Sequence, residues 1–192
     1  PLDGPLDNPE QRPISERCVV LGAPPISATI SYNRLRFIQT PSHVVVHTEN
    51  GDDARIVPFT GAHKPAGGPR SWLGDSIARW EGDTLVIETI RLPKELRVRG
   101  LPTFIVSDEA TVIERITRLS EDELLYQYTV VDPKVYTAPW LAEYSLYSSK
   151  TGMFPSPCHE HNYSLPNILQ GARVIEARAI EARTAKAKPM AK

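Results

Sequence analysis

No apolar run in this 192-residue sequence approaches the roughly 20 residues that a membrane-spanning helix needs, so no membrane span is expected. Surplus charge is lacking too. The chain carries 22 basic and 23 acidic residues, a formal net charge of -1. Nucleic acid is therefore not an expected partner, because a phosphate backbone is held by clustered excess Lys and Arg. The one basic surplus, Arg183 to Lys192, suits the solvated end of a helix. Nucleotide and hydrolase signatures are missing as well: there is no G-x-G-x-x-G, P-loop, G-x-S-x-G, H-E-x-x-H or EF-hand loop. Nucleotide-dependent chemistry has no support, and no organic cofactor is expected.

Cysteine is scarce. Cys18 and Cys158 are the only two, and they lie near opposite ends of the chain. Two readings are open. In a cytosolic protein they are unrelated buried thiols. In an exported protein they pair and close a long loop. The sequence opens at Pro1 and not at Met, which fits the expectation that a leader has been removed.

What is present has an ordinary globular composition, 41% hydrophobic and 23% charged. Residues 1–31 hold Pro1, Pro5, Pro9, Pro13, Pro24 and Pro25. Proline removes backbone donors, so this segment reads as an extended arm lying over the domain. Residues 32–192 read as a single β domain. Strand-like alternation runs through Arg34–Thr40, His43–Glu49, Ala54–Phe59, Ser76–Glu81, Thr84–Ile90, Thr111–Arg118, Glu123–Val131, Trp140–Tyr147 and Pro157–Tyr163. Asn50-Gly51 and Gly82-Asp83 are hairpin signals. From Leu165 the period changes to that of a helix, over about residues 165–188. Ile168, Leu169, Ala172, Ile175 and Ala179 fall on one stripe that should pack on the domain. Nine short strands followed by one helix predict a mainly β fold, an antiparallel up-and-down barrel. That order resembles the lipocalin plan.

Longer segments carry a second resemblance. Trp72–Thr89 reads W-L-G-D-S-I-A-R-W-E-G-D-T-L-V-I-E-T. Arg17-Cys18, Ile38–Pro41, Ala54–Pro58, Asp132–Trp140, Cys158–Tyr163 and Asn167–Arg173 complete the pattern. Together they resemble a functionally uncharacterised family of exported bacterial proteins, over nearly the whole chain after the arm. The resemblance implies a signal peptide, a periplasmic or secreted location and a Cys18–Cys158 disulfide. It supplies no catalytic residues. The chain departs from the family pattern at Asp52, where His is common, and at His161, where a small residue is common.

Three groups of residues are candidates for chemistry. On a strand, His159 and His161 share a face, and two imidazoles at that spacing bind a divalent metal if a third ligand joins them. Their ordinary role is that of surface or hydrogen-bonded histidines. His43, His47 and Glu49 share the parity of an early strand. Closing a barrel would bring Glu49 and His159 to one cavity as candidate general bases, with Arg55 as an anion clamp. The plainer reading of Glu49 and Arg55, with Asp52 and Asp53, is turn chemistry and a surface ion pair. Trp72, Trp80 and Trp140, with Tyr126, Tyr128 and Tyr144 and with Asp75 beside them, form a candidate ligand wall or simply core packing. The function these features suggest is an exported barrel binding a small organic molecule, with cofactor-free lyase, isomerase or hydrolase chemistry possible in its cup. The alternatives are a non-catalytic binding or structural subunit, docked on a protein partner through the arm or the helix, and a metal-binding protein using His159 and His161.

Overall fold

Alternation of small apolar and polar residues sets the strands of the computed structural model, which describes residues 8–12, 16–19, 24–26, 34–65, 68–93 and 106–187. The first sheet contains β1 (Leu35–Gln39), β2 (His43–Thr48) and β3 (Ala54–Pro58), antiparallel and in chain order. The second contains β4 (Asp75–Glu81), β5 (Thr84–Ile90), β6 (Thr111–Arg118), β7 (Glu123–Val131) and β8 (Trp140–Tyr147), again antiparallel and in order. Helix α1 follows at Ser164–Ala187. The fold is therefore mainly β, two antiparallel sheets and a C-terminal helix. Among the described residues no ladder joins β3 to β4 or β1 to β8, so the closed barrel expected from the sequence is not seen.

The two sheets bury one shared interior. Val44 and Val46 of β2 and Val57 of β3 pack in one cluster with Leu85 and Ile87 of β5 and Tyr126 of β7. Parity explains the choice of face. In β6 the even positions Val112, Glu114 and Ile116 are buried, and in β7 Tyr126 and Val130 are. Ile26, from the N-terminal arm, joins the same cluster. Most of the arm lies outside the described residues.

The turns follow their glycines. Glu81 pairs directly with Thr84, and Gly82 has φ 60° while Asp83 stays out of the left-handed region. That is the type II′ hairpin the sequence predicts. Nothing lies within 4 Å of the Cβ that Gly82 lacks, so substitution there meets strain and no clash. Gly82→Val should lower stability by roughly 1 kcal/mol, read as a lower urea midpoint at unchanged slope. The β2–β3 hairpin has a longer turn than Asn50-Gly51 alone. Residues Asn50–Asp52 form a short 3-10 turn with Gly51 at φ 79° and Asp52 at φ 55°.

Two expectations are corrected at the C-terminal end. Pro157–Tyr163 is not a strand. It is a turn that leads into α1, where the Asn162 side-chain carbonyl accepts the Leu165 N–H at 3.3 Å. No neighbouring strand offers it a ladder, and the Asn162 cap starts a helix instead. The stripe on α1 also fails to seat as a whole. Ile168, Leu169 and Ala172 are half-buried, but Ile175 is 69% exposed and Val174 and Ile180 are exposed with it. Periodicity shows that a helix has an apolar side; it does not show that the domain extends far enough to cover it.

Cys18 and Cys158 are joined in a disulfide, with Cα atoms 5.6 Å apart across a sequence separation of 140. The bond ties the arm to the turn before α1. Asn162 reinforces it by donating to the Glu16 carbonyl at 2.8 Å and to Cys18 Sγ at 3.2 Å. A disulfide is compatible with an oxidising, extracellular setting.

Candidate functional site

A buried ion pair stands between the two sheets. Arg55 of β3 donates to Glu114 of β6 through Nη1 at 2.5 Å and Nη2 at 3.0 Å, a bidentate pair. Glu114 is fully buried and Arg55 nearly so. Arg55 Nη1 also reaches Thr89 Oγ1 at 3.2 Å, and Thr89 meets Ser76 Oγ at 2.8 Å. The Tyr126 hydroxyl donates to Glu114 Oε1 at 2.7 Å. Burial disfavours the Arg55 cation, but the Glu114 carboxylate outweighs it and holds the guanidinium charged. Burial first, and then the Glu114 charge, push the Tyr126 hydroxyl well above its usual range, so it stays a neutral donor. Arg55 faces inward, so it does not form the surface ion pair of the plainer reading. It is not an open anion clamp, because Glu114 occupies its fork.

Glu49 is committed elsewhere. It has left the strand, with φ -63° and ψ -39°, and therefore does not continue the face of His43 and His47. Those two histidines lie on the face opposite the buried Val44, Val46 and Thr48, and His47 pairs with Asp52 at 2.6 Å. Glu49 Oε1 accepts the Phe154 N–H at 2.7 Å and Arg34 Nη1 at 3.1 Å; Oε2 accepts Arg34 Nη1 at 3.1 Å and its N–H at 3.3 Å. The Phe154 N–H is the main cause that holds this carboxyl below its ordinary 4.5, with Arg34 adding to it against the opposing effect of burial. A carboxylate used on both oxygens and made less basic is a poor general base. Because the folded value lies below the unfolded one, its contribution to stability is complete above pH 4.5 and fades as pH falls through the folded value. Glu49→Gln should flatten that acid limb in denaturation curves followed downward from above pH 4.5.

Neither the hollow beside the disulfide nor the larger cleft beside β1 is walled by both His159 and Glu49. His159 is exposed and borders a hollow of about 280 Å³ beside the disulfide, whose walls include Asp52, Asp53 and Glu160 but not Glu49. His161 is exposed in the same turn. Without a strand the two imidazoles lose the shared face on which a metal site depended. Among the described residues no group of three or more His, Cys, Asp or Glu is arranged to hold a metal ion.

The aromatic candidates separate into different places. Trp72 and Trp80 are 44% and 48% exposed, and Trp80 stacks on Phe59 at 6.3 Å. Trp140 is half-buried and meets Tyr128 and Tyr136 edge-on at 5.6 and 5.8 Å. They do not build one wall. Asp75 fixes a loop: its Oδ2 accepts the Lys64 N–H at 2.7 Å and lies 3.4 Å from His63 Nδ1. The other ring nitrogen of His63 meets Glu88 at 3.2 Å. The sequence reading passed over His63 and Glu114, and took Tyr126 for one of an aromatic set without its hydroxyl bond. Glu114 had a legible signal, a carboxylate on the apolar parity of β6 between Val112 and Ile116.

The larger hollow is a cleft of about 490 Å³ where the start of β1 faces the β6–β7 turn and the end of β8. Leu35, Phe37, Leu124 and Leu146 give it an apolar floor that is packed against the interior cluster. Arg36, Arg118 and Lys150 stand on its rim with Glu121 and Asp122. Arg118 is tied to the Ser120 and Glu121 carbonyls, each at 3.0 Å. Comparison with family models, curated proteins and solved structures finds no match to this chain.

Proposed function

We propose that this chain is an exported small-molecule-binding protein that takes its ligand in the cleft between β1 and β7–β8. The observation that carries the reading is the cleft itself: about 490 Å³, within the range of small-ligand sites, with an apolar floor and a charged rim. The ligand class is an organic molecule with an apolar body and a polar end. Binding is favoured over acid/base catalysis because Glu49 and Arg55 are already committed to partners and His159 stands in the open. In this reading the eight strands are an up-and-down barrel of lipocalin type, opened along two seams. Antiparallel strands in chain order within each sheet and an interior shared by the two sheets support it. The disulfide supports the periplasmic or secreted location that the family resemblance implies.

The test is a titration with 1-anilinonaphthalene-8-sulfonate, an aromatic anion of suitable size. Fluorescence should rise with one site per chain, and Leu146→Trp, which fills the floor, should weaken binding at least about tenfold, the loss of roughly 1.4 kcal/mol. Equal binding by parent and variant contradicts the assignment of the cleft. A second reading rests on α1, whose exposed Val174, Ile175 and Ile180 suit a protein partner and a structural role. The native mass of the purified chain, alone or in a complex, separates the two.

A further inference from the structure

Behind the cleft floor the arm makes a contact that the proposed ligand site does not use. Ile26 is 5% exposed and belongs to the interior cluster that also holds Val44, Val46, Val57, Ile87 and Ile116. No β ladder holds its backbone. Two tyrosine hydroxyls do so. The Ile26 N–H donates to the Tyr126 hydroxyl at 2.9 Å, and the Tyr144 hydroxyl donates to the Ile26 carbonyl at 2.5 Å.

The direction of each bond is set by the network behind it. A tyrosine hydroxyl has one proton to give. Tyr126 gives its proton to Glu114 Oε1, and Glu114 is fixed by the bidentate Arg55. The Tyr126 oxygen is left as an acceptor aimed at a donor. Tyr144 keeps its proton for the carbonyl; burial pushes its hydroxyl above the usual range as well. The pair therefore offers one acceptor and one donor, spaced to meet the N–H and the C=O of a single residue, beside an apolar cup. An ester in place of the amide would present an oxygen to the Tyr126 oxygen, and a polar side chain would enter the cup without a partner.

From this we infer that Tyr126, Tyr144 and the apolar cup form a binding seat for an apolar residue flanked by peptide groups, which the chain's own Ile26 occupies here. The seat reads peptide backbone by side chains, so it accepts a detached peptide of the same character once Ile26 is withdrawn. The buried Arg55–Glu114 pair acts through Tyr126 as its positioning group. The inference does not rest on a ligand in the cleft. Failure of the naphthalenesulfonate titration leaves it standing, and its own failure leaves the cleft reading untouched.

The experiment uses the full chain carrying Ile26→Asp, to which acetyl-Pro-Pro-Ile-N-methylamide is added. The variant should melt below the parent, and the peptide should bind it one to one and raise its melting temperature. The analogue with an ester oxygen in place of the isoleucine N–H should bind about fivefold more weakly, the loss of one hydrogen bond. No response to the peptide at millimolar concentration, or equal binding of the ester, overturns the inference. If Ile26→Asp does not fold, Tyr144→Phe decides. Amide hydrogen exchange at Ile26 should quicken about fivefold while the Val112 amide stays protected. Unchanged exchange at Ile26 in that variant also overturns it.

Discussion

Arg55→Met should lower the stability of the domain by roughly 3–5 kcal/mol, the largest loss expected from a single interior change. The cause is what the substitution leaves behind. Glu114 is fully buried, and without Arg55 its carboxylate keeps the Tyr126 hydroxyl as its one hydrogen-bond donor and no opposite charge. Charge in a poorly solvating interior is costly when unpaired. Removing both partners has a different consequence. Arg55→Met with Glu114→Leu deletes the desolvation cost together with the attraction, so the double variant should recover most of the loss. Urea midpoints of the parent, both single variants and the double variant complete a mutant cycle. A single Arg55→Met variant as stable as its parent would show that the pair is not buried as described.

The second large effect belongs to the disulfide. Cys18→Ala with Cys158→Ala should cost up to about 5 kcal/mol in the chain-entropy view, because the bond closes a loop across a sequence separation of 140. Changing both residues avoids leaving a single reactive thiol. The loss should be measured as a shift in urea midpoint against the oxidised parent, with peptide mapping to establish the single linked pair. An unchanged midpoint would mean that the arm and the turn before α1 are held by other contacts, the Asn162 bond to the Glu16 carbonyl first among them.

Much of the fold was legible because alternation and turn chemistry agreed. β5, β6, β7 and β8 begin and end where the sequence pattern places them, and Gly82-Asp83 makes the turn its residues demand. The failures have physical causes. Alternation was also present at Pro157–Tyr163, but a strand needs a partner for its backbone, and this segment caps a helix instead. Parity assigned Glu49 to the face of His43 and His47, yet parity holds only while the chain stays extended, and Glu49 has helical angles. The candidate site suffered most. For Arg55 the sequence left a surface ion pair and a cavity-facing clamp both open; its partner stands 59 residues away on β6, and no local pattern announces a pairing across two sheets. The Ile26 seat joins residues 100 and 118 positions apart, by hydroxyl bonds to backbone that leave no trace in periodicity.

The most direct test of the ligand assignment is the mass of the intact protein under non-denaturing conditions, isolated from its natural compartment and compared with Leu146→Trp prepared in the same way. The account predicts that the parent carries a bound organic molecule of a few hundred daltons, on the order of what about 490 Å³ admits, and that the variant carries none. A parent that is bare in every preparation, or a variant that retains the same adduct, would contradict it.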